Sequence, residues 1–198
     1  MSAEAIRVGT ETMTDPAAIV ATAIRERRTV NDFASDLPAP EIIREALSLA
    51  RWAPNHHRTE PWRFHVIGPK TRDSIIELNT ALVREKKGDK VAAIKQERWS
   101  AVPGWLAVSC VNDADPIRNR EDYAACCCAV HNVSLHLWQH GIGMKWTTGD
   151  VTRLPAFFDL LGIDADERQI VGLLWYGKPR SVPDQHRRPL ADVLVEHD

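Results

Sequence analysis

Apolar residues recur at helical spacing in four separated stretches of the chain. Ile19, Ala23 and Ile24 form a stripe that ends in the basic run Arg25 to Arg28, and Asp15-Pro16 before it supplies an N-cap and a first-turn proline. Pro40-Glu41 opens a second helix with Ile42, Ile43, Ala46, Leu47 and Ala50 on one face, and Pro54 stops it just after Trp52. Thr71 to Val83 reads as a third amphipathic helix. The highly charged stretch from Arg84 to Arg98 follows it and is the expected lid. Asp122 is read as the cap of a long helix, Tyr123 to His140, with apolar residues around nearly its whole circumference. Such a helix belongs in a core or a subunit interface, and Gly141 is its C-cap.

Short apolar runs predict strands at Trp62 to Ile67, Trp105 to Val111 and Ile170 to Tyr176, the last with apolar side chains on both faces. The tail from Leu190 to Val195 is expected to add an edge strand, on this chain or on a partner subunit. Residues 1–14 are polar and lack periodicity, so they read as a flexible or dimer-draping arm ahead of one domain over 15–198. No internal repeat or second domain is visible. The residues alone therefore give helices flanking a small sheet, with glycine-punctuated turns at the ends of the elements.

Composition narrows the function. A chain of 198 residues with 44% hydrophobic residues can bury one substantial core. The net charge of −2 and the lack of an extended basic face argue against nucleic-acid binding, which leaves a small-molecule partner. No apolar run approaches the roughly 20 residues needed to span a bilayer, and no basic-then-apolar leader pattern is present. Four cysteines, three of them adjacent at Cys126, Cys127 and Cys128, do not make a disulfide framework. The expectation is a cytoplasmic protein without a membrane partner.

Four separated segments carry the chemistry. Arg27-Arg28-Thr29 places two guanidinium groups and a hydroxyl at a helix end, a set suited to gripping phosphate. Ala53 to Trp62 contains a Pro-Asn-His-His turn leading into a strand. Gly141 to Gly149 is the third segment, and Tyr176-Gly177-Lys178-Pro179 with Arg187-Arg188-Pro189 is the fourth. In this order and at these separations the segments resemble the flavin-dependent nitroreductase family, and most closely its short, single-domain members. The resemblance runs from about Ala18 to Val195. It implies an α+β, three-layer α/β/α fold with a mixed, mainly antiparallel sheet. It also implies a homodimer with FMN in a groove between subunits.

By this resemblance Arg27, Arg28, Thr29 and Arg187 hold the ribityl phosphate. Asn31 stands where many members carry a lysine near the pyrimidine edge of the flavin, and Glu60 where they carry glutamine. An ionised carboxylate cannot donate a hydrogen bond, and loss of a cation near that edge lowers the expected reduction potential. His56 matches a flavin-contacting position, with His57 its neighbour in the same turn. Trp146 packs beside the ring, and a main-chain N–H of Thr147 or Thr148 reaches flavin N5.

No residue is a clear acid, base or nucleophile, so the catalytic set is empty and the flavin carries the reaction. The resemblance implies ping-pong hydride transfer from NADH or NADPH to a nitroaromatic, quinone or related electron-poor acceptor, with Trp99 and Trp105 as pocket walls. The alternatives are a non-catalytic flavin carrier or sensor, or a specialised superfamily reaction such as dehalogenation or azoline oxidation. His136 and His140 have the i, i+4 spacing of a metal-binding helix face, and Cys128 with His131 adds a second pair. The glutamate expected after the first histidine is absent, and the reading is that these histidines are packed, with no metal.

Overall fold

The computed structural model describes residues 15 to 197, and the arm read at 1–14 lies outside the described residues. The elements run α1 (Pro16–Glu26), α2 (Pro40–Ala50), β1 (Trp62–Val66), α3 (Pro69–Lys87), α4 (Asp89–Ser100), β2 (Gly104–Val111), α5 (Pro116–Gln139), β3 (Gly143–Thr147), α6 (Pro155–Leu161) and β4 (Arg168–Gly177). Five of the helices open on proline, where a missing N–H costs nothing because the first turn leaves it unpaired anyway. The sixth, α4, begins after Gly88, whose φ of 82° turns the chain back from α3.

The strands form one sheet in the order β1-β2-β4-β3, and every neighbouring pair is antiparallel. Alternation along the strands sends side chains to two cores. Leu106, Val108 and Cys110 of β2, with Val171 and Leu174 of β4, face α2 and α5. Trp105, Ala107, Leu173 and Trp175 face α3, α4 and α6. The result is the expected three-layer α/β/α arrangement. Because β4 is central and covered on both faces, residues Val171 to Gly177 are all buried, as the continuous apolar run requires.

Several elements differ from the sequence reading. Helix α5 begins at Pro116 and not at Asp122, because Asp115 is the cap: its carboxylate accepts the Ile117 N–H at 2.9 Å. The polar first turns hide the start of a helix whose apolar stripe begins later. The charged stretch from Arg84 to Arg98, read as the lid, is the end of α3 and most of α4, two packed helices. Trp99 and Trp105 are 6% and 1% exposed. They pack with Trp175 at centroid separations of 5.0 to 5.6 Å, so they are core and Trp99 is no pocket wall. Leu190–Asp192 is a short 3-10 turn in an exposed tail and adds no strand to this chain's own sheet. Among the described residues, no helix is long and apolar enough to cross a membrane.

Candidate functional site

The end of α1 is stitched to the sheet edge by the residues that follow it. Thr29 pairs in parallel with Met144 of β3, and the Val30 N–H donates to the Met144 carbonyl at 3.1 Å. Val30 and Phe33 are buried and anchor this strip. Further along, the Ala34 N–H donates to the Lys178 carbonyl at 2.8 Å and the Arg180 N–H to the Asp32 carbonyl at 3.1 Å. Three of the four chemistry-bearing segments therefore converge on the β3 edge.

Arg27, Arg28 and Arg187 border a cleft of about 260 Å³ together with Ile24, Arg25 and Gln185. Partial burial, then the guanidinium groups of Arg187 and Arg28, push the Arg27 pKa below its ordinary value. Among the described residues, Arg72, Arg84, Arg118, Arg153 and Arg180 have carboxylate partners, whereas none stands within ion-pair distance of Arg27, Arg28 or Arg187. Three converging cations without a counter-charge are a donor set for a phosphate, and the exposed Thr29 hydroxyl lies next to them in the chain. The residues present thus fit the phosphate end of a nucleotide-like cofactor.

A second cationic group surrounds Asn31. Its amide oxygen accepts from Lys145 Nζ at 2.8 Å and from an Arg98 guanidinium nitrogen at 3.4 Å. Lys145 Nζ also sits 5.1 Å above the Trp175 ring. Burial, then Arg98 and Lys95, pushes the Lys145 pKa down. Among the described residues, the side-chain oxygen that accepts from both cations is that of a neutral amide. Trp146, next on β3, points to the other face, donates from Nε1 to the Val171 carbonyl at 3.0 Å and lies across Gly172. Thr147 ends β3. The Thr148 carbonyl accepts from Arg153, and hydrogen bonds and charge from Lys86, with a lesser part from Arg153, hold the exposed Asp150 carboxyl below its ordinary range.

The turn from Asn55 to Glu60 is built differently. His57, Arg58 and Glu60 have φ values of 63°, 54° and 47°, a left-handed region that side chains other than glycine seldom adopt. Asn55 holds the turn by accepting the Glu60 N–H at 2.8 Å, and the Thr59 hydroxyl donates to the buried Asp122 carboxylate of α5. This anchoring leaves His56 and Glu60 exposed, with no hydrogen bond or ion pair to the arginine cleft among the described residues. Burial, then the Arg27 guanidinium, pushes the His131 pKa below its ordinary value, and His131 stands nine residues along α5 from Asp122, about 13 Å of helix. One chain therefore does not bring His56 and Glu60 onto the cleft that holds Arg27, Arg28 and Arg187. Sequence reasoning gave Lys145 and Arg98 no place beside Asn31 and took Asp122 for a helix cap. Lys145 lay inside the third segment with alternation as its only signal, whereas nothing local pointed Arg98 to Asn31 or Asp122 to Thr59.

The sequence model of the nitroreductase family matches residues 24–178. A Bacillus subtilis chain, YfhC, provisionally named an NAD(P)H nitroreductase, is 29% identical over 178 residues, which is 87% of this chain and 91% of that one. The crystal structure of a nitroreductase-like family protein from Bacillus cereus is similar with a TM-score of 0.79 at 30% identity, covering 90% of this chain and 96% of that one. The FMN-dependent nitroreductase NfnB from Mycobacterium smegmatis, solved in complex with NADPH, shares the fold with a TM-score of 0.77 at 16% identity over 93% of this chain and 100% of its own. A family match across most of the chain, on a fold held in common with these structures, shows that this chain belongs to the nitroreductase family.

Proposed function

We propose that the protein is an FMN-dependent oxidoreductase that takes hydride from NADH or NADPH and reduces nitroaromatics, quinones or related electron-poor small molecules in a ping-pong cycle. The observation that carries this reading is the cleft of Arg27, Arg28 and Arg187, three cations without carboxylate partners among the described residues, in a chain of the nitroreductase family. These arginines and Thr29 would hold the phosphate. Asn31, Trp146, Thr147 and Thr148 would border the ring system. When bound, FMN supplies the hydride-transfer chemistry, and the protein contributes binding, orientation and electrostatics. Lys145, held 2.8 Å from the Asn31 amide oxygen, supplies beside that amide the positive charge that asparagine lacks.

The active form in this reading is a homodimer of one domain per chain, spanning 15–198. A second copy would bring its own His56 and Glu60 over the cleft, which explains why one chain keeps them apart. Exposed apolar residues support an interface: Ile19, Val20 and Ile24 on α1, Trp52 at 81% exposure, and Val193 to Val195 in the tail. The four free thiols suit a reducing, cytoplasmic setting.

Steady-state kinetics of the FMN-loaded protein test the cycle. Parallel double-reciprocal lines for donor and acceptor are expected, with nitroaromatics and quinones both accepted. Reduction by NAD(P)H with no transfer to any of these acceptors would instead favour a flavin carrier or sensor, the reading that the departures at Asn31 and Glu60 support.

A further inference from the structure

The C-terminal end of α5 holds a second cluster, remote in character from the arginine cleft. Glu45 of α2 meets His136 and His140 there, and one ligand atom from each lies within 4.8 Å of the others. His136 Nε2 stands 3.7 Å from Glu45 Oε2, too far for a hydrogen bond. That nitrogen is itself buried and has no hydrogen-bond partner among the described residues. Buried polar atoms ordinarily find one. The two imidazole rings lie 4.6 Å apart between centroids.

We propose that Glu45, His136 and His140 form a binding site for a divalent transition-metal ion of the zinc type. The two histidines supply the i, i+4 pair of one helix face, and the glutamate missing from the sequence beside His136 arrives from α2. Zinc bonds of 2.0–2.1 Å in a tetrahedral set place ligand atoms about 3.3 Å apart, so the 3.7 Å pair needs a closure of a few tenths of an ångström. Glu45 and His140 are exposed and free to turn inward around the better buried His136. Three protein ligands leave a fourth position for water or an outside ligand, and the ion would tie α2 to the end of α5. This site stands independently of the flavin reading.

Isothermal titration of the full-length, chelator-stripped protein with zinc sulfate tests it. One zinc per chain with micromolar or tighter affinity is expected, weakened by more than an order of magnitude in both His140→Ala and Glu45→Gln, with FMN content unchanged. Cobalt(II) substitution should give a nitrogen- and oxygen-ligand spectrum. Absence of binding, parent-level affinity in either variant, a cobalt–thiolate charge-transfer band pointing to Cys127 or Cys128, or loss of binding in His57→Ala alone would overturn the proposal.

Discussion

Replacing Arg27 with alanine should separate cofactor binding from fold stability, because the structure gives the two effects opposite signs. Arg27 is part-buried beside Arg187 and Arg28, and its lowered pKa means that the folded protein disfavours its charge. Its charged form therefore opposes folding while the cleft holds no anion. A bound phosphate reverses this: each charge-assisted hydrogen bond contributes ~1.5–3 kcal/mol, which is ~10- to ~150-fold in affinity at 1.4 kcal/mol per decade. Arg27→Ala should thus weaken FMN by one to two orders of magnitude per bond lost, while the FMN-free protein melts at the same temperature or higher. Quenching of flavin fluorescence gives the affinity, and differential scanning calorimetry of the flavin-free protein gives the melt. An FMN affinity within threefold of the parent, or a clear drop in the flavin-free melting temperature, would refute the assignment of Arg27 as a phosphate ligand held against its own stability.

Other perturbations have equally definite signs. Gly172→Ala puts a Cβ 2.0 Å from Trp146 Nε1, so the indole must leave and lose its bond to the Val171 carbonyl; a loss of ~1–3 kcal/mol by urea titration is expected. Thr59→Val leaves the buried Asp122 carboxylate short of a donor, costing ~1–3 kcal/mol and raising amide exchange across residues 55–60. Lys145→Met should lower the reduction potential of bound FMN in spectroelectrochemical titration, by ~30 mV for each tenfold loss of reduced-over-oxidised affinity; an unchanged potential would remove Lys145 from the site. Burial, then Arg168 and Arg63, lowers the His65 pKa from 6.5 to about 4. Between those values the unfolded chain binds a proton that the folded chain refuses. Stability should therefore fall as pH drops from 6.5 toward 4, and His65→Gln should flatten that limb in pH-dependent denaturation.

The parts of the fold that follow local rules were readable from the chain. Asp15-Pro16 marked the start of α1 and Pro40 that of α2, and the apolar run at Ile170 to Tyr176 marked a strand covered on both faces. Asp122 was misplaced because an acid before an apolar stripe looks the same whether it caps a helix or is buried inside one. The choice was made by Asp115-Pro116, seven residues earlier, and by Thr59 from a distant turn. Strand β3 was hidden by its glycine start and its short length, and its pairing with β4 is a long-range property. The arginine cleft was legible because its members sit at marked segment ends. Lys145 and Arg98 were not, since only folding brings α4 and β3 onto Asn31. Glu45 likewise meets His136 and His140 through helix packing that no spacing within one segment encodes.

Whether the chain is a flavin reductase is decided by mixing the purified protein with FMN, removing unbound flavin, and following visible absorbance while NADH and then NADPH are added without oxygen. One FMN retained per chain and rapid bleaching of its visible bands by at least one of the two donors are expected. A protein that retains no FMN, or retains it and is reduced by neither donor, would contradict the flavin-reductase reading.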